Sequence, residues 1–397
     1  VFHVKHLSQG AAEDWRRGGF GLYLHWPFCA SKCPYCDFNS HVRDGVDQRR
    51  WLEAFTRELE RARRDTQGRT IETIFFGGGT PSLMEPEMVG RLLEEVGRRW
   101  RVANDLEVTL EANPGSVDAA RFRDFRAAGV NRLSVGVQSL RDDDLRALGR
   151  LHDAASARRA VETATAHFDR VSLDLIYARQ KQSPEAWERE LREAIALGTR
   201  HLSLYQLTIE DGTAFGERFR RGRLLDLPDE ETQVRLYELT QRLCAEAGLP
   251  AYEISNHASP GEAARHNLIY WNSGDYLGIG PGAHGRLTLK GTRHATQQHR
   301  DPMAWLSAAE GAQGATCVYE ALSAEDRIAE FVLMGLRLGS GVSLERLEGL
   351  GGALTEAEVG ALAALGLVET LADQRILRVT QRGRLLLDRI TARLLGG

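Results

Sequence analysis

Cysteine is scarce in this chain, with five residues in 397, and three of the five crowd into one stretch, "HWPFCASKCPYCDFNSH". The paired spacings of a disulfide framework are missing, which suits a reducing compartment. No apolar run approaches the roughly 20 residues that span a bilayer. The first residues, "VFHVKHLSQGAAEDWRRGG", hold no apolar core of the signal-peptide kind. Together these absences lead us to expect a cytoplasmic protein. The net charge is only −4, so bulk charge gives no sign of a nucleic-acid or membrane-surface binder. Internal repeats beyond a strand–helix alternation, and low-complexity tracts, are also lacking. What the chain has is length and apolar content. Its 397 residues exceed one ordinary domain, and 42% hydrophobic residues supply a sizeable core.

From residue 20 to about 255, short apolar runs alternate with helical patterns. The strand candidates are "FGLYLHW" (20–26), "IETIFF" (71–76), "LEVTLEA" (106–112), "NRLSVGV" (131–137), "RVSLDLIY" (170–177) and "RHLSLYQLT" (200–208). Amphipathic stretches such as "RRWLEAFTRELERARRD" (49–65) and "PEAWERELREAIALG" (184–198) lie between them. This alternation predicts an α/β fold of parallel strands with helical crossovers. Polar residues gather at the strand ends: the cysteine loop, "GGGTP" (77–81), Glu111 with Asn113, Gln138, Asp174, and Gln206 with Glu210. Parallel barrels carry their sites on that face, so a partial (β/α)6-type barrel is expected. The domain reading is an N-terminal extension over 1–19, the barrel over 20–255, a connecting segment over 256–322 and a C-terminal unit over 323–397.

In that last unit, helical patterns flank a short hairpin around "LVETLADQRILRV", a winged-helix-like α+β order. Such units often bind DNA. From residue 340 onward, however, seven arginines are balanced by seven acids. There is no basic stripe, and no nucleic-acid partner is expected.

The cysteine loop spaces Cys29, Cys33 and Cys36 as C-x3-C-x2-C. Zinc prefers four ligands, often in C-x2-C pairs, and here would need His25 or His41 as a fourth. An iron–sulfur cluster takes thiolates, one per iron. Three thiolates would leave one iron open to something other than protein. Cys244, in a helical pattern, and Cys317, standing alone, read as inert thiols.

C-x3-C-x2-C with an aromatic, Tyr35, before the third cysteine resembles the radical S-adenosylmethionine (SAM) proteins. The resemblance implies a [4Fe–4S] cluster on Cys29, Cys33 and Cys36, with SAM chelating the open iron. "GGGTP" is similar to the family's glycine motif, which implies SAM contact at Gly77, Gly78, Gly79 and Thr80. Further strings, among them "GLYLHWPFC", "LEANPG", "GVNRLSVGVQS", "SLDLIY", "YEISNHASPG" and "HNLIYW", resemble the oxygen-independent coproporphyrinogen oxidase group. Matched by position, Tyr23, Glu111, Gln138, Arg150 and Asp174 would lie near SAM. Glu111 would accept from ribose hydroxyls, Arg150 would pair with the SAM carboxylate, and Gln138 would hold a polar edge.

Two branches of that group differ in the loop. The oxidase carries an extra cysteine where this chain has Phe38. The HemW-like haem chaperones lack it and carry an "HNxxYW" string, matched here by His266, Asn267, Tyr270 and Trp271. That resemblance implies haem binding, with His266 as a candidate iron ligand and Tyr270 and Trp271 packing on the porphyrin plane. It also implies haem-acceptor proteins as partners, such as respiratory haem proteins, some of them at a membrane. Anaerobic coproporphyrinogen III dehydrogenase is the alternative, and another tetrapyrrole-modifying radical SAM enzyme a second. "GIGPGAHG" (278–285) mimics a dinucleotide fingerprint, but it contains Pro281 and follows no βαβ unit. It matches a string of the same group, with His284 as a second candidate haem ligand. One departure stands out. Where the group continues Gly-Leu-Pro-Gly-Gln after "SLDLIY", this chain reads "ARQKQ" (178–182); altered ligand contacts, a divergent member and a local sequence error are the three readings, and they leave the geometry around Asp174 open but not the cysteine loop.

Overall fold

The computed structural model describes residues 13–396. The extension expected over 1–19 therefore lies largely outside the described residues. Trp15–Gly18 form one helical turn.

Six strands share one residue pattern: β1 Phe20–Trp26, β2 Thr70–Gly78, β3 Arg101–Ala112, β4 Arg132–Gln138, β5 Arg170–Tyr177 and β6 His201–Gln206. Apolar and polar residues alternate along them. Val108 and Leu110 interleave with Glu107, Thr109 and Glu111; Leu173 and Leu175 interleave with Ser172 and Asp174. Successive side chains in a strand point to opposite faces. The apolar set packs under five crossover helices: α1 Gln48–Asp65, α2 Pro86–Arg99, α3 Ala119–Ala128, α4 Ala154–His167 and α5 Pro184–Ala196. Their Phe55, Leu92, Phe122, Val161 and Trp187 join the strand residues in one continuous core. Asp47, Asp118, Asp153 and Ser183 start four of these helices by accepting a first-turn amide. The polar set shares the opposite face and bonds to itself. Ser134 donates to Asp174 at 2.8 Å, Ser172 lies 2.8 Å from His201 Nδ1, and Arg170 donates to Glu107 at 2.6 Å.

Strands β1 to β6 pair in parallel and in chain order. With α6, Glu230–Glu246, they form the partial (β/α)6 barrel. The connecting segment extends the same sheet. It supplies β7 Asn256–Ala258, β8 Asp275–Ile279, β9 His284–Leu289, β10 Thr292–Gln298 and β11 Thr316–Ala321. Among the described residues the sheet order is β11-β10-β9-β8-β1-β2-β3-β4-β5-β6-β7. Strand β8 lies parallel to β1 on the side opposite β2. It is anchored by Asp275, fully buried between Arg69 at 2.7 Å and Arg293 at 2.9 Å. No described helix is long and apolar enough to cross a membrane.

The C-terminal unit has its own core, around Phe331, Val332, Leu347, Leu377 and Ile390. Its helices include Ala324–Gly335, Glu356–Ala364 and Leu387–Leu394. The hairpin Val368–Leu371/Ile376–Val379 forms as expected and takes a third short strand, Val342–Ser343. Arg346 ties this unit to the N-terminal helical turn through Asp14, at 2.9 Å, and to the connecting segment through the Asn272 carbonyl.

The atypical turn after β5 uses left-handed backbone at two residues that carry side chains. Ala178 and Lys181 adopt φ of 57° and 60°, at the two positions where the resembling group has glycine. Asp174 stays in register, opposite Ser203. Arg179 is buried and ion-paired with Asp144 and Glu190. Left-handed backbone is strained for residues with a Cβ. Ala178→Gly and Lys181→Gly should each therefore stabilise the protein, by about 0.5–1 kcal/mol after the extra chain entropy of glycine. Thermal unfolding checks this; a lowered midpoint in both variants would contradict the strain.

Candidate functional site

Strand β1 runs straight into the cysteine loop. Phe28–Cys29 and His41–Val42 pair in parallel and close the loop's base. The glycine turn after β2 grips that base. The Gly79 amide donates to the Trp26 carbonyl at 2.7 Å, and the Thr80 amide to the Phe28 carbonyl at 2.8 Å. A Cβ on Gly79 would stand 2.7 Å from the Phe28 carbonyl oxygen and 3.0 Å from Cys29 Sγ. Only glycine lets the two loops come this close.

Cys29, Cys33 and Cys36 are free thiols, each partly buried. Thr80 Oγ1 donates to Cys29 Sγ at 3.3 Å, and Arg150 Nη1 to Cys33 Sγ at 3.4 Å. Ser40 Oγ lies 3.9 Å from Cys36 Sγ. This donor set suits an iron–sulfur cluster: three thiols on one loop, each with a polar neighbour at sulfur. Arg150 Nε is buried beside them with no partner among the described residues, an unused donor that suits a carboxylate. The zinc alternative finds no support. His25 already bonds to Tyr23 and the Asn39 carbonyl, each at 2.9 Å.

Beside the loop lies a cavity of about 500 Å³, lined in part by Tyr23, Phe38, Glu111, Tyr270, Tyr276 and His284. The nine residues expected around SAM fall into four places. Tyr23, Gly78 and Glu111 line the cavity, with Gly77 packed against the Tyr23 ring. Gly79, Thr80 and Arg150 touch the cysteine loop, and Arg150 also donates to the Gly136 carbonyl at 3.1 Å. Gln138 ends β4 at a φ of 67°. Asp174 sits among Ser134 and Ser172; burial raises its pKa and those hydroxyls restrain the rise. Glu111 accepts from the Gly78 amide at 3.1 Å. Burial pushes its pKa up to about 8, and Asp174 adds repulsion.

The "HNxxYW" string folds as a helix, Arg265–Trp271, and the helix separates its members. Residues four apart share a face, whereas neighbours diverge by about 100°. His266 therefore aligns with Tyr270 and not with Trp271. The expectation that His266 offers a nitrogen to haem iron meets a different arrangement. The ring is buried, with Nδ1 2.6 Å from Thr73 Oγ1 and Nε2 2.7 Å from the Tyr270 hydroxyl. It stacks on Phe75 with ring centroids 5.2 Å apart. Burial lowers its pKa to about 3, so the ring is neutral. A Cβ on Gly21 would come within 3.2 Å of the His266 ring, so β1 is hollowed to admit it. Trp271 leaves the cavity and lies under Arg337, whose guanidinium carbon is 4.7 Å from the ring centroid. Tyr270 alone of the three lines the cavity.

His284 also lines the cavity, and its exposed ring has no hydrogen-bond partner among the described residues. The "GIGPGAHG" string forms the end of β8, a turn and the start of β9, with no helix to receive a pyrophosphate. Sequence reading missed Asn39, whose side-chain amide clamps this turn through the carbonyls of Pro281, at 2.9 Å, and Arg300, at 2.8 Å. It also missed Tyr276, Thr73 and Glu107. The last two were visible as polar steps in strand alternation, away from the strand ends.

A glycine-gripped cysteine loop at the mouth of a partial barrel defines a radical SAM architecture. In agreement, residues 23–194 match the radical SAM superfamily model, and residues 322–386 match the HemN C-terminal domain. The heme chaperone HemW of Mycobacterium tuberculosis is 40% identical over 381 residues, spanning 95% of this chain and 95% of that protein. The mitochondrial radical S-adenosyl methionine domain-containing protein 1 of Bos taurus is 38% identical over 386 residues, 94% of this chain and 87% of that protein. The solved structure of Escherichia coli coproporphyrinogen III oxidase (HemN), a radical SAM enzyme, superposes on 100% of this chain and 95% of that one, with a TM-score of 0.80 at 22% identity. That likeness concerns the fold. The chain belongs to the HemW family of radical SAM proteins. Membership implies a [4Fe–4S] cluster and SAM.

The raised Glu111 pKa has a consequence for stability. Between its ordinary value of 4.5 and about 8, the folded state keeps a proton that the unfolded chain releases. Stability of the SAM-free protein should fall as pH rises through that window. Glu111→Gln should leave the thermal midpoint nearly unchanged at about pH 5 and raise it at about pH 8.5. Equal shifts at both pH values would contradict the assignment.

Proposed function

We propose that this chain binds haem beside a SAM-bound [4Fe–4S] cluster and passes the haem to acceptor proteins, such as respiratory haem proteins, in the cytoplasm. Cys29, Cys33 and Cys36 hold the cluster. Gly77, Gly78, Gly79, Thr80, Tyr23, Glu111, Gln138, Arg150 and Asp174 surround SAM. When bound, the cluster and SAM supply one-electron chemistry at the cavity wall. The chain's own residues bind and orient. Arg150 offers its unpaired Nε to a carboxylate, Glu111 offers an acceptor to hydroxyls, and Thr80 fixes the Cys29 sulfur. Residues 20–255 form the cluster-and-SAM unit, 256–322 the unit that carries the haem-facing residues, and 323–397 a separate C-terminal unit.

One observation carries the reading: the cysteine loop and the helix Arg265–Trp271 meet in a single cavity, through Phe38 and Tyr270. The curated relatives named as heme chaperones support it. The second reading, coproporphyrinogen III dehydrogenase, draws on the likeness in fold. Phe38 weighs against it. This side chain is 57% exposed and lines the cavity, at the position of the oxidase's extra cysteine, and it cannot act as a thiol.

Two experiments test the proposal. After anaerobic reconstitution, replacing Cys29, Cys33 or Cys36 with Ala should abolish the brown cluster absorption, while replacing Cys244 or Cys317 should not. SAM should perturb the electron paramagnetic resonance spectrum of the reduced cluster. A cluster that survives loss of Cys33 would remove the first half of the reading. The second experiment sets haem binding beside turnover. The reconstituted protein should bind haem stoichiometrically and leave coproporphyrinogen III unconverted under anaerobic reducing conditions with SAM. Protoporphyrinogen IX formed at an enzymatic rate would replace the chaperone reading with the dehydrogenase.

A further inference from the structure

Two tyrosines of the cavity each meet a histidine, and the two pairs are wired in opposite senses. Tyr23 lies 2.9 Å from His25 Nδ1, and His25 Nε2 lies 2.9 Å from the Asn39 carbonyl. A carbonyl only accepts, so the His25 proton sits on Nε2 and Nδ1 is a bare acceptor. The Tyr23 hydroxyl therefore donates inward, and its proton is committed. The second pair is Tyr270 and His266, 2.7 Å apart through Nε2. Here Nδ1 faces Thr73 Oγ1 at 2.6 Å. Thr73 is fully buried, and among the described residues its hydroxyl has this one partner. Tyr270 opens onto the cavity and Thr73 does not, so the tautomer that leaves no fully buried O–H unpaired has Thr73 donating to Nδ1. The His266 proton is then on Nε2 and points at the Tyr270 oxygen. Tyr270 receives a hydrogen bond from protein, and its own proton has no acceptor there.

We propose that the Tyr270 phenolate is the protein ligand to ferric haem iron, with His266 as a positioning residue that donates Nε2–H to the phenolate oxygen. The inference rests on the haem-binding reading above and names the ligand within it. Tyrosine is an established donor to haem iron, and a hydrogen bond to an ionised oxygen is stronger than one to a neutral oxygen. Ferric haem in neutral water carries hydroxide on its iron. On binding, the Fe–OH bond breaks and the Fe–O(Tyr270) bond forms. The phenolic O–H bond breaks, its proton leaves on the hydroxide as water, and the iron stays ferric. His266 keeps its proton throughout. Two further residues of the lining bear on this cargo. Tyr276 meets Tyr270 edge-on with centroids 4.4 Å apart, and the exposed Arg300 at the lining makes no salt bridge among the described residues, so it is open to a propionate.

The test uses the reconstituted full chain titrated with ferric haem, read by visible absorption and resonance Raman. The wild-type complex should show a phenolate-to-iron charge-transfer band and iron-bound phenolate modes. Tyr270→Phe should abolish both and weaken binding by about tenfold or more. His266→Leu should shift the phenolate modes and speed haem loss. His266→Gln, which can still donate to the same oxygen, should restore much of the wild-type signature. His284→Ala should leave the phenolate modes in place. A wild-type complex with an imidazole-type spectrum and no phenolate modes would overturn the ligand assignment, whatever the variants do, and loss of that spectrum in His284→Ala would move the ligand there. Absence of stoichiometric haem binding by the wild type would instead remove the haem reading itself.

Discussion

A single buried carboxylate, that of Glu107, joins the barrel to the helix that faces the cavity. Glu107 lies on β3 and is 1% exposed. It accepts from Arg170 at 2.6 Å and from the amides of Arg265 and His266 at 3.1 Å each. Burial alone would raise its pKa, but Arg132, Arg170 and the two amides outweigh that and hold it below the ordinary value. A negative charge at a helix start satisfies amides that have no partner within the helix. Because both oxygens are used, the helix Arg265–Trp271 is fixed in rotation as well as position. That rotation decides that His266 turns inward, Tyr270 meets the cavity, and Trp271 leaves it.

The cysteine loop is held from both flanks by the same logic. Strand β1 has parallel neighbours on each side, β2 and β8, and each ends in a glycine turn beside the loop. The turn after β2 bonds to the loop backbone through Gly79 and Thr80. The turn after β8 is clamped through the Asn39 side chain. Two sequence strings far apart in the chain, "GGGTP" and "GIGPGAHG", thus become the walls of one feature.

The six parallel strands were legible because each is a compact apolar run between helical patterns; β1 and β5 have the bounds that the sequence predicts. The crowding of the three cysteines was legible from spacing, whereas the cluster they would hold came only from the resemblance. Strands β8 to β11 were not legible. Gly278 and Gly285 interrupt β8 and β9, β10 and β11 carry few large apolar residues, and β8 depends on an ion-paired aspartate rather than on apolar continuity. The inward role of His266 was also hidden, because its surroundings come from β1 and β2, with Thr73 lying 193 residues away. No local pattern reports a contact of that separation. The helical phase of "HNLIYW" was available and would have divided Tyr270 from Trp271. So was the polar half of each strand's alternation, which runs the depth of the barrel and not only its rim.

The buried arginine of the atypical turn bears on how this chain can change over time. Arg179 meets Glu190, and Glu190 also accepts from the Ser139 hydroxyl at 2.6 Å and the Leu140 amide at 2.7 Å. Those contacts hold the segment that leads on to Arg150 and so to Cys33. Restoring an apolar residue at 179 alone would leave a buried carboxylate without its cation, a cost of about 3–5 kcal/mol. The turn is thus entrenched. Positions 179 and 190 are coupled, so a substitution at either is tolerated best when the other changes with it.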